Sequence, residues 1–575
     1  MQLEFQGHSY EIKEWGPSDK LGLHIALDTE TDYTPSHIVP DLATVQAFDG
    51  NTCYLIPLSK LRLFLNKHYN HKFIMHNASF DICVLEKHLS TKFTDLYDKE
   101  AVLDTSVLYR LYHLAVAGFV PRKGYSLDAV TEKLLNQKLV KNNSIRCNFM
   151  QFKDKPLKSI LPDFVDYMMR DVVAAFYVWF ELAARCACHD KYGTLLSHHI
   201  QTKGEYALAK IHQNGIGFDL ERRDEWLSKT QIEIKKRAEI LATYGFVRGM
   251  KGNRERFLSA LDFFGIRDKL PLTENGAIST TAEVLEPYAD NPMIKAYMEY
   301  MELEKAASFV ENIQSNRIHP RYVSILNTGR TSCSGSKEGA CNIQQIPRVG
   351  GLREMFVPAK GKVFIDVDYS ALELAVLAQV TYVRFGFSKM RDMINNGADL
   401  HYYLASKIYN KPESKITKDE RQFAKIGNFG FAANMAPSTF IDYCKGYGLH
   451  ITEAFAAQVK NAFMQAYPEM RDFFNVGNAT DVYTLSGRKR ADCTYTAYLN
   501  TQFQGYAADG FKLALYELTK AEYNIVAEIH DQVVIEVKNA SLMANVQKIM
   551  EDSMKTLIKD VQISTEGQIL ERWVK

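Results

Sequence analysis

Apolar and polar positions alternate in short runs near the N-terminus and then recur at helical spacing, a pattern that predicts an α/β unit followed by long helices. The run LHIAL from Leu23 reads as a strand ending at a cluster of acids, Asp28, Glu30 and Asp32. A second strand, KFIMH, leads into the turn NAS and a helix from Phe80 onward. From Pro162 to about Cys188, aromatic and aliphatic residues return every third or fourth position, which predicts a helix. From about His198 to Thr243 the pattern is helical and charged. It runs into the basic, glycine-containing loop RGMKGNRERF, and a second long helix, NPMIKAYMEYMELEKAASFVENIQ, returns with Pro292 near its start. Beyond Pro320, VFIDVDYS predicts a strand that places Asp366 and Asp368 on one face. Residues from Lys389 to about Thr480 are mostly helical, and IVAEI and VVIEV flank HDQ as a hairpin displaying His530 and Asp531. The pattern divides the chain at 1–190, 191–320, 321–388, 389–480 and 481–575.

At 575 residues the chain is too long for one core. An apolar fraction of 46% and a charged fraction of 24% exclude a disordered class. The net charge is only +1, so any field for nucleic acid must be local. One candidate lies between Glu221 and Phe257, where Arg222, Arg223, Lys229, Lys235, Lys236, Arg237, Arg248, Lys251, Arg254 and Arg256 outnumber the acids; a solvated helix face explains it as readily as a DNA contact. The nine cysteines form no CxxC, which suits a reducing cytoplasm. Cys186, Cys188 and His189 lie close together in RCACHD, but no second ligand pair follows, so a helix end is expected there. The N-terminal MQLEFQGHSYEIKEW lacks the apolar core of a targeting peptide. The longest apolar run, VVAAFYVWF, is too short to span a bilayer, and no membrane partner is expected.

Two sets of residues carry chemistry. Asp28 and Glu30 in DTETD lie two apart on a strand end and point the same way. A DxE pair alone is common on surfaces. Here it has company in NASFD with Asp81, and in YMMRD, where Tyr167 and Asp171 lie one helical turn apart. Four acids and a tyrosine can bind two divalent cations and orient a water for attack on a phosphodiester. The second set comprises Asp368 and Glu373 in DYSALEL, Arg421, Lys425 and Phe429 at successive steps of four, and Asp531 in IHDQ. Asp368 and Asp531 could hold paired Mg²⁺ ions, while Arg421 and Lys425 grip a triphosphate and Phe429 covers its base. Gly427 and Gly430 each cost a helix about 1 kcal/mol relative to alanine, which suggests close approach by another group or bending.

DTETD, NASFD and YMMRD resemble, in order and spacing, the three motifs of the DnaQ-like 3′-to-5′ exonucleases. That resemblance implies Asp28, Glu30, Asp81 and Asp171 as metal ligands and Tyr167 as the catalytic residue that orients water. DYSALEL, RQFAKIGNF and IHDQ resemble motifs A, B and C of the family A DNA polymerases, and TGRTS, NIQQIP, DLH, NTQFQG and GAISTTAEVL extend the likeness over nearly the whole chain. The implied fold is α/β and α+β multidomain: an RNase H-like exonuclease domain at 1–190, then a right hand with thumb at 191–320, palm at 321–388 and 481–575, and fingers at 389–480. Asp368 and Asp531 become palm metal ligands, and Glu373, packed near Phe429, becomes the gate against a ribose hydroxyl. Arg421, Lys425 and Phe429 become the nucleotide site, with Lys425 also a proton donor to pyrophosphate. Arg330, Asn500, Gln504 and His530 would contact primer-template DNA, and Arg248, Lys251 and Arg254 the exiting duplex. Mg²⁺, two per site and replaceable by Mn²⁺, primer-template DNA and deoxynucleoside triphosphates are the implied cofactor and partners. The chain is expected to be a cytoplasmic monomer, with a separate processivity or replisome factor left open.

Four departures stand out. Ala433 and Asn434 replace the Tyr-Gly pair after motif B, Gln532 replaces the glutamate of motif C, Ala375 replaces a motif A arginine, and Thr496 stands where an arginine often supports the nascent pair. These losses leave room for an altered purine preference such as 2-aminoadenine. The chain begins almost directly at the exonuclease motifs, so strand extension by a phage-type replicase is expected rather than primer removal. Two alternatives differ in class: a nuclease whose C-terminal part only clamps DNA, and a non-enzymatic DNA-binding module. The first does not need intact Asp368, Asp531, Arg421, Lys425 and Phe429, and the second does not need two sets of acids.

Overall fold

In the computed structural model, which describes residues 1–139, 141–189, 194–249, 252–273, 276–335, 341–347 and 349–574, the N-terminal pattern builds a mixed seven-stranded sheet. Its order is Gln2–Phe5, His8–Glu14, Thr52–Ile56, Leu42–Phe48, His24–Thr31, Lys72–Met75 and Val102–Asp104. The acid-bearing strand His24–Thr31 lies in the interior, antiparallel to Leu42–Phe48 and parallel to Lys72–Met75. Both of its faces are covered, which is why IAL reads as an unbroken apolar run. Ala26 joins a cluster with Val172, Val173 and Val178 of the helix Pro162–His189. Ile25 and Leu27 join another with Ile82 and Leu85 of the helix Ala78–Leu89.

The helical stretch expected over 198–243 is two helices, Thr194–Asn214 and Leu220–Ala242, separated by a strand, Ile216–Phe218. That strand pairs with Phe356–Val357 and Arg317–Ile318. Gly215 takes a φ of 62°, which ends the first helix, and a Cβ on Gly217 would stand 2.3 Å from the Val357 carbonyl oxygen. Asp219 then caps the second helix by accepting from the Arg222 amide. Three residues are too few to show a period of two, so the strand is invisible in the hydrophobic pattern. The helix Leu220–Ala242 packs on the returning helix Pro292–Val310, and Phe257 stacks on Tyr297 with ring centroids 3.5 Å apart.

The C-terminal sheet is antiparallel, in the order Ile525–Ile529, Gln532–Val537, Val363–Tyr369, Thr565–Leu570. Ile365, Val367, Tyr369, Val533 and Ile535 enter the same core cluster as Phe503, Phe511 and Leu515 of the helix Tyr495–Lys520. Asp366, Asp368 and Gln532 therefore fall on the opposite face. A helix from Lys418 to Phe431 opens with a capping box between Thr417 and Glu420 and buries Phe423, Ala424, Ile426 and Phe431. A Cβ on Gly427 would lie 3.3 Å from Val459, and one on Gly430 would lie 2.9 Å from the Phe440 ring. The glycines permit close packing of neighbouring helices.

The N-terminal unit is bolted to this sheet through the helix Thr194–Asn214, which packs on Tyr495–Lys520. Gln201 Nε2 donates to Asp509 at 2.8 Å, and Lys512 Nζ donates to Gln201 Oε1 at 2.5 Å and to the Gly329 carbonyl at 2.7 Å. Burial pulls Lys512 down to about 7. Arg110 pairs with Glu205, which also accepts from Ser324. Buried, hydrogen-bonded charges of this kind resist relative movement, because separating one partner strands the other away from water.

Candidate active sites

The N-terminal acids are brought together by strand register and by two helices. Gln46 is the cross-strand partner of Asp28, and its Nε2 lies 2.7 Å from Asp28 Oδ2 and 3.5 Å from Glu30 Oε1. Asp81, in the first turn of Ala78–Leu89, accepts from the Thr29 amide at 3.1 Å and the Thr29 hydroxyl at 2.7 Å. Asp104 fixes the start of that helix by accepting from the amides of Asn77 and Ala78. Asp171, one turn after Tyr167, accepts from Lys141 Nζ at 2.8 Å, and the same ammonium lies 5.2 Å from the Tyr167 ring centre.

The electrostatics of this group ask for a cation. Burial, reinforced by the charge of Asp171, pushes Asp28 up to about 7. Burial followed by Asp28 and Asp171 raises Glu30 well above the ordinary carboxyl range, and burial with Asp28 does the same to Asp81. Asp171 is raised by burial and partly relieved by Lys141. The Tyr167 hydroxyl, pushed up to about 12 by burial, stays protonated and able to donate. Among the described residues no three His, Cys, Asp or Glu side chains are gathered into a finished metal cage. The acids are instead held by Thr29, Gln46 and Lys141. A buried, mutually repelling, all-oxygen donor set fits hard divalent cations.

The raised carboxyls predict an unusual pH dependence for the metal-free protein. A native carboxyl at about 7 binds its proton more tightly than in the unfolded chain, so between the unfolded value near 4 and about 7 the native state holds more protons. Stability contributed by Asp28 should therefore be highest at acid pH and fall as pH rises toward 7. Asp28→Asn is expected to raise the thermal midpoint of chelator-treated protein at pH 8 by several degrees, with the gain vanishing near pH 4, as measured by calorimetry.

The second site forms around a tight turn. Asp368 faces Gln532 across the sheet, and Asp531 lies in the two-residue turn immediately before it, where His530 takes a φ of 65°. Burial, then the charges of Asp368 and Glu373, push Asp531 up to about 7, while Arg330 opposes them. Glu373, in the first turn of the helix Leu372–Phe385, is raised by burial and relieved by its ion pair with Arg330 and a hydrogen bond with Gln504. Arg330, Glu373, Gln504, His530 and Asp531 line one cleft. Asn500 stands one turn before Gln504 on the helix Tyr495–Lys520. Glu373, expected near Phe429, forms an ion pair with Arg330, because a carboxylate withdrawn from water takes a cation, and the Phe429 ring centre lies 6.0 Å from that of His401.

On the helix Lys418–Phe431, Arg421, Lys425 and Phe429 share the less buried side. Arg421 donates twice to Asp399 Oδ2, at 2.9 and 2.7 Å, with its guanidinium 5.2 Å from the Tyr402 ring centre. Burial, with Arg421 and Lys425 acting against the charged form, pulls His401 down to about 4, so a neutral imidazole faces these cations. Asn434, where the family pattern has glycine, holds a φ of 60° and donates to the Tyr495 hydroxyl at 2.7 Å. Asparagine tolerates this left-handed conformation.

The basic stretch carries less net field than its residue count suggested. Arg222 pairs with Glu354, Arg237 with Glu233 and Glu299, and Arg248 with Glu304 at 2.7 Å. Arg254 donates to the Ile278 carbonyl at 2.6 Å. Lys251 lies outside the described residues, as do the side chains of Cys188 and His189; Cys186 is buried within its helix. Sequence reasoning missed Gln46 and Lys141. The lone glutamine in the apolar strand LATVQAF was a readable signal for the first, whereas nothing around Lys141 sets it apart from other surface lysines.

A family model for DNA polymerase family A matches residues 260–575. The chain belongs to that family. A 3′-5′ exonuclease family model matches residues 10–186, so an exonuclease domain precedes the family A polymerase domain. DNA polymerase I of Aquifex aeolicus is 30% identical over 391 residues, 64% of this chain and 66% of that protein. DNA polymerase I of Borreliella burgdorferi is 25% identical over 598 residues, 95% of this chain and 62% of that protein. The chain thus spans a little under two thirds of the length of these relatives. The POL domain of Pol1 from M. smegmatis, solved in complex with DNA primer-template and dNTP, shares the fold, with a TM-score of 0.71 at 18% identity over 96% of both chains. Among the described residues no helix is long and apolar enough to cross a membrane.

Proposed function

We propose that this family A member is a template-directed DNA polymerase of phage replicative type with a 3′-to-5′ proofreading exonuclease, and that each site works with two divalent cations. One observation carries the reading: two separate groups of buried carboxyls with raised proton affinity, Asp28, Glu30 and Asp81 in one domain and Glu373 and Asp531 in the other, each beside groups suited to nucleic acid. Mg²⁺ bound at either site would activate the attacking oxygen and stabilise the leaving one.

In the polymerase domain, Asp368 and Asp531 would be the ligands. Arg421 and Lys425 would turn to the triphosphate, Arg421 exchanging Asp399 for phosphate oxygens, and Lys425 would protonate the departing pyrophosphate. Phe429 would cover the nucleotide. Arg330, Asn500, Gln504 and His530 would align the primer terminus, while Arg248, Lys251 and Arg254 follow the duplex. In the exonuclease domain, Asp28, Glu30, Asp81 and Asp171 would hold cations, and the Tyr167 hydroxyl would orient the attacking water. We assign 1–190 to the exonuclease, 191–320 to the thumb, 321–388 and 481–575 to the palm, and 389–480 to the fingers, in a monomer working on primer-template DNA and deoxynucleoside triphosphates.

Extension of a labelled primer by the purified chain with Mg²⁺ tests the reading. Template-dependent elongation and removal of a mismatched 3′ end are expected; no elongation under any divalent cation would leave only a nuclease. Running the assay opposite thymine with adenine and 2-aminoadenine nucleotides tests whether the loss of a tyrosine at Ala433 alters purine choice. Glu373→Ala is expected to raise ribonucleotide incorporation relative to deoxynucleotide by about tenfold or more, the scale of a lost steric contact. Unchanged discrimination would place the sugar gate elsewhere.

A further inference from the structure

Asp366 is one of the few acids buried in the polymerase sheet, with 2% of its surface exposed. It sits two residues before Asp368 on the central strand Val363–Tyr369, and therefore on the same face. Gln532 Nε2, from the strand that carries the Asp531 turn, donates to Asp366 Oδ1 at 2.5 Å. Gln568 Nε2, from the opposite neighbour Thr565–Leu570, donates to Oδ2 at 3.1 Å. One carboxylate thus ties three adjacent strands together on the side facing the metal ligands. Gln532 is at once the direct partner of Asp368 and the residue that follows Asp531.

Such an arrangement does more than fill space. A buried carboxyl with no role beyond packing would be expected to give way to an apolar side chain, since withdrawing it from water is unfavourable. Here both oxygens receive amide donors from different strands, and one donor is the hinge residue between the two proposed ligands. We propose that Asp366 is a positioning residue of the polymerase centre: acting through Gln532, it fixes the Asp531 turn against Asp368 and so holds the two side chains in register for a divalent cation. This inference rests on the polymerase reading above. It requires a carboxylate and an amide at 366 and 532, one of each, and it makes the order in which they occur secondary.

The test uses the full chain with exonuclease ligands silenced by Asp28→Ala and Glu30→Ala, and Mn²⁺ as the probe. Binding is read by calorimetry and by the electron paramagnetic resonance of free Mn²⁺, without DNA or nucleotide, and the Mg²⁺ dependence of primer extension is read in parallel. Asp366→Asn is expected to weaken Mn²⁺ binding about tenfold or more, as loss of outer-sphere support to a metal ligand does, and to raise the Mg²⁺ needed for half-maximal extension alike. The exchanged variant Asp366→Asn with Gln532→Glu restores one carboxylate and one amide and is expected to recover most of the loss. Leu515→Ala, in the core cluster that Ile365 and Val367 of the same strand enter from its other face, provides the comparison for a purely structural defect: it should lower the thermal midpoint without changing Mn²⁺ affinity. Unchanged metal affinity in Asp366→Asn, or an exchanged variant no better than the single one, would overturn the assignment. Failure of the parent chain to extend a primer would instead overturn the polymerase reading itself.

Discussion

Asp368→Ala is expected to reduce primer extension by about 10³-fold or more while leaving 3′-end removal intact. The scale follows from losing several kcal/mol of charge stabilisation at about 1.4 kcal/mol per decade of rate. The structure explains why no neighbour should substitute. Glu373 is engaged by Arg330 and Gln504, and Asp366 by Gln532 and Gln568. Glu566, the cross-strand partner of Asp368, is exposed to solvent, and Asp531 left as the one committed ligand would hold a cation pair far more weakly than two carboxylates do. The exonuclease set belongs to a different sheet and different core clusters, so it should be unaffected. Single-turnover extension with saturating nucleotide, beside degradation of a single-stranded primer, measures both halves. Retained extension would refute the assignment of Asp368.

The reciprocal experiment, Asp28→Ala with Glu30→Ala, is expected to suppress excision of a mismatched primer end by a comparable factor and to spare extension. Both side chains leave one face of the interior strand His24–Thr31, so their removal empties that side of the donor set. Folding should survive, because the substitutions remove buried acids whose charged forms are disfavoured by burial and by one another. Asp81 and Asp171 remain, held by Thr29 and Lys141. With those two anions alone, cation binding should weaken, and excess Mn²⁺ should rescue little activity. Undiminished degradation of the mismatched end would place the nuclease chemistry elsewhere.

Between these two sites the chain makes buried polar contacts. The contacts of Gln201, Asp509 and Lys512 join the helix leaving the exonuclease domain to the helix Tyr495–Lys520, and through the Gly329 carbonyl to the loop bearing Arg330.

The sequence by itself determined the two carboxylate sets and the order of the domains. Such motifs are legible because strand and helix periodicities put Asp28 with Glu30, Tyr167 with Asp171, and Arg421 with Lys425 and Phe429 on common faces regardless of what surrounds them. Tertiary structure alone decided who meets whom. Glu373 with Arg330, Asp171 with Lys141, Asp366 with Gln532 and Arg421 with Asp399 are separated by 43, 30, 166 and 22 residues. No local period encodes such pairings. They arise when buried charges and amides, forced out of water together, take the nearest complementary group, as Asp366 and Gln532 do within the sheet that carries Asp368.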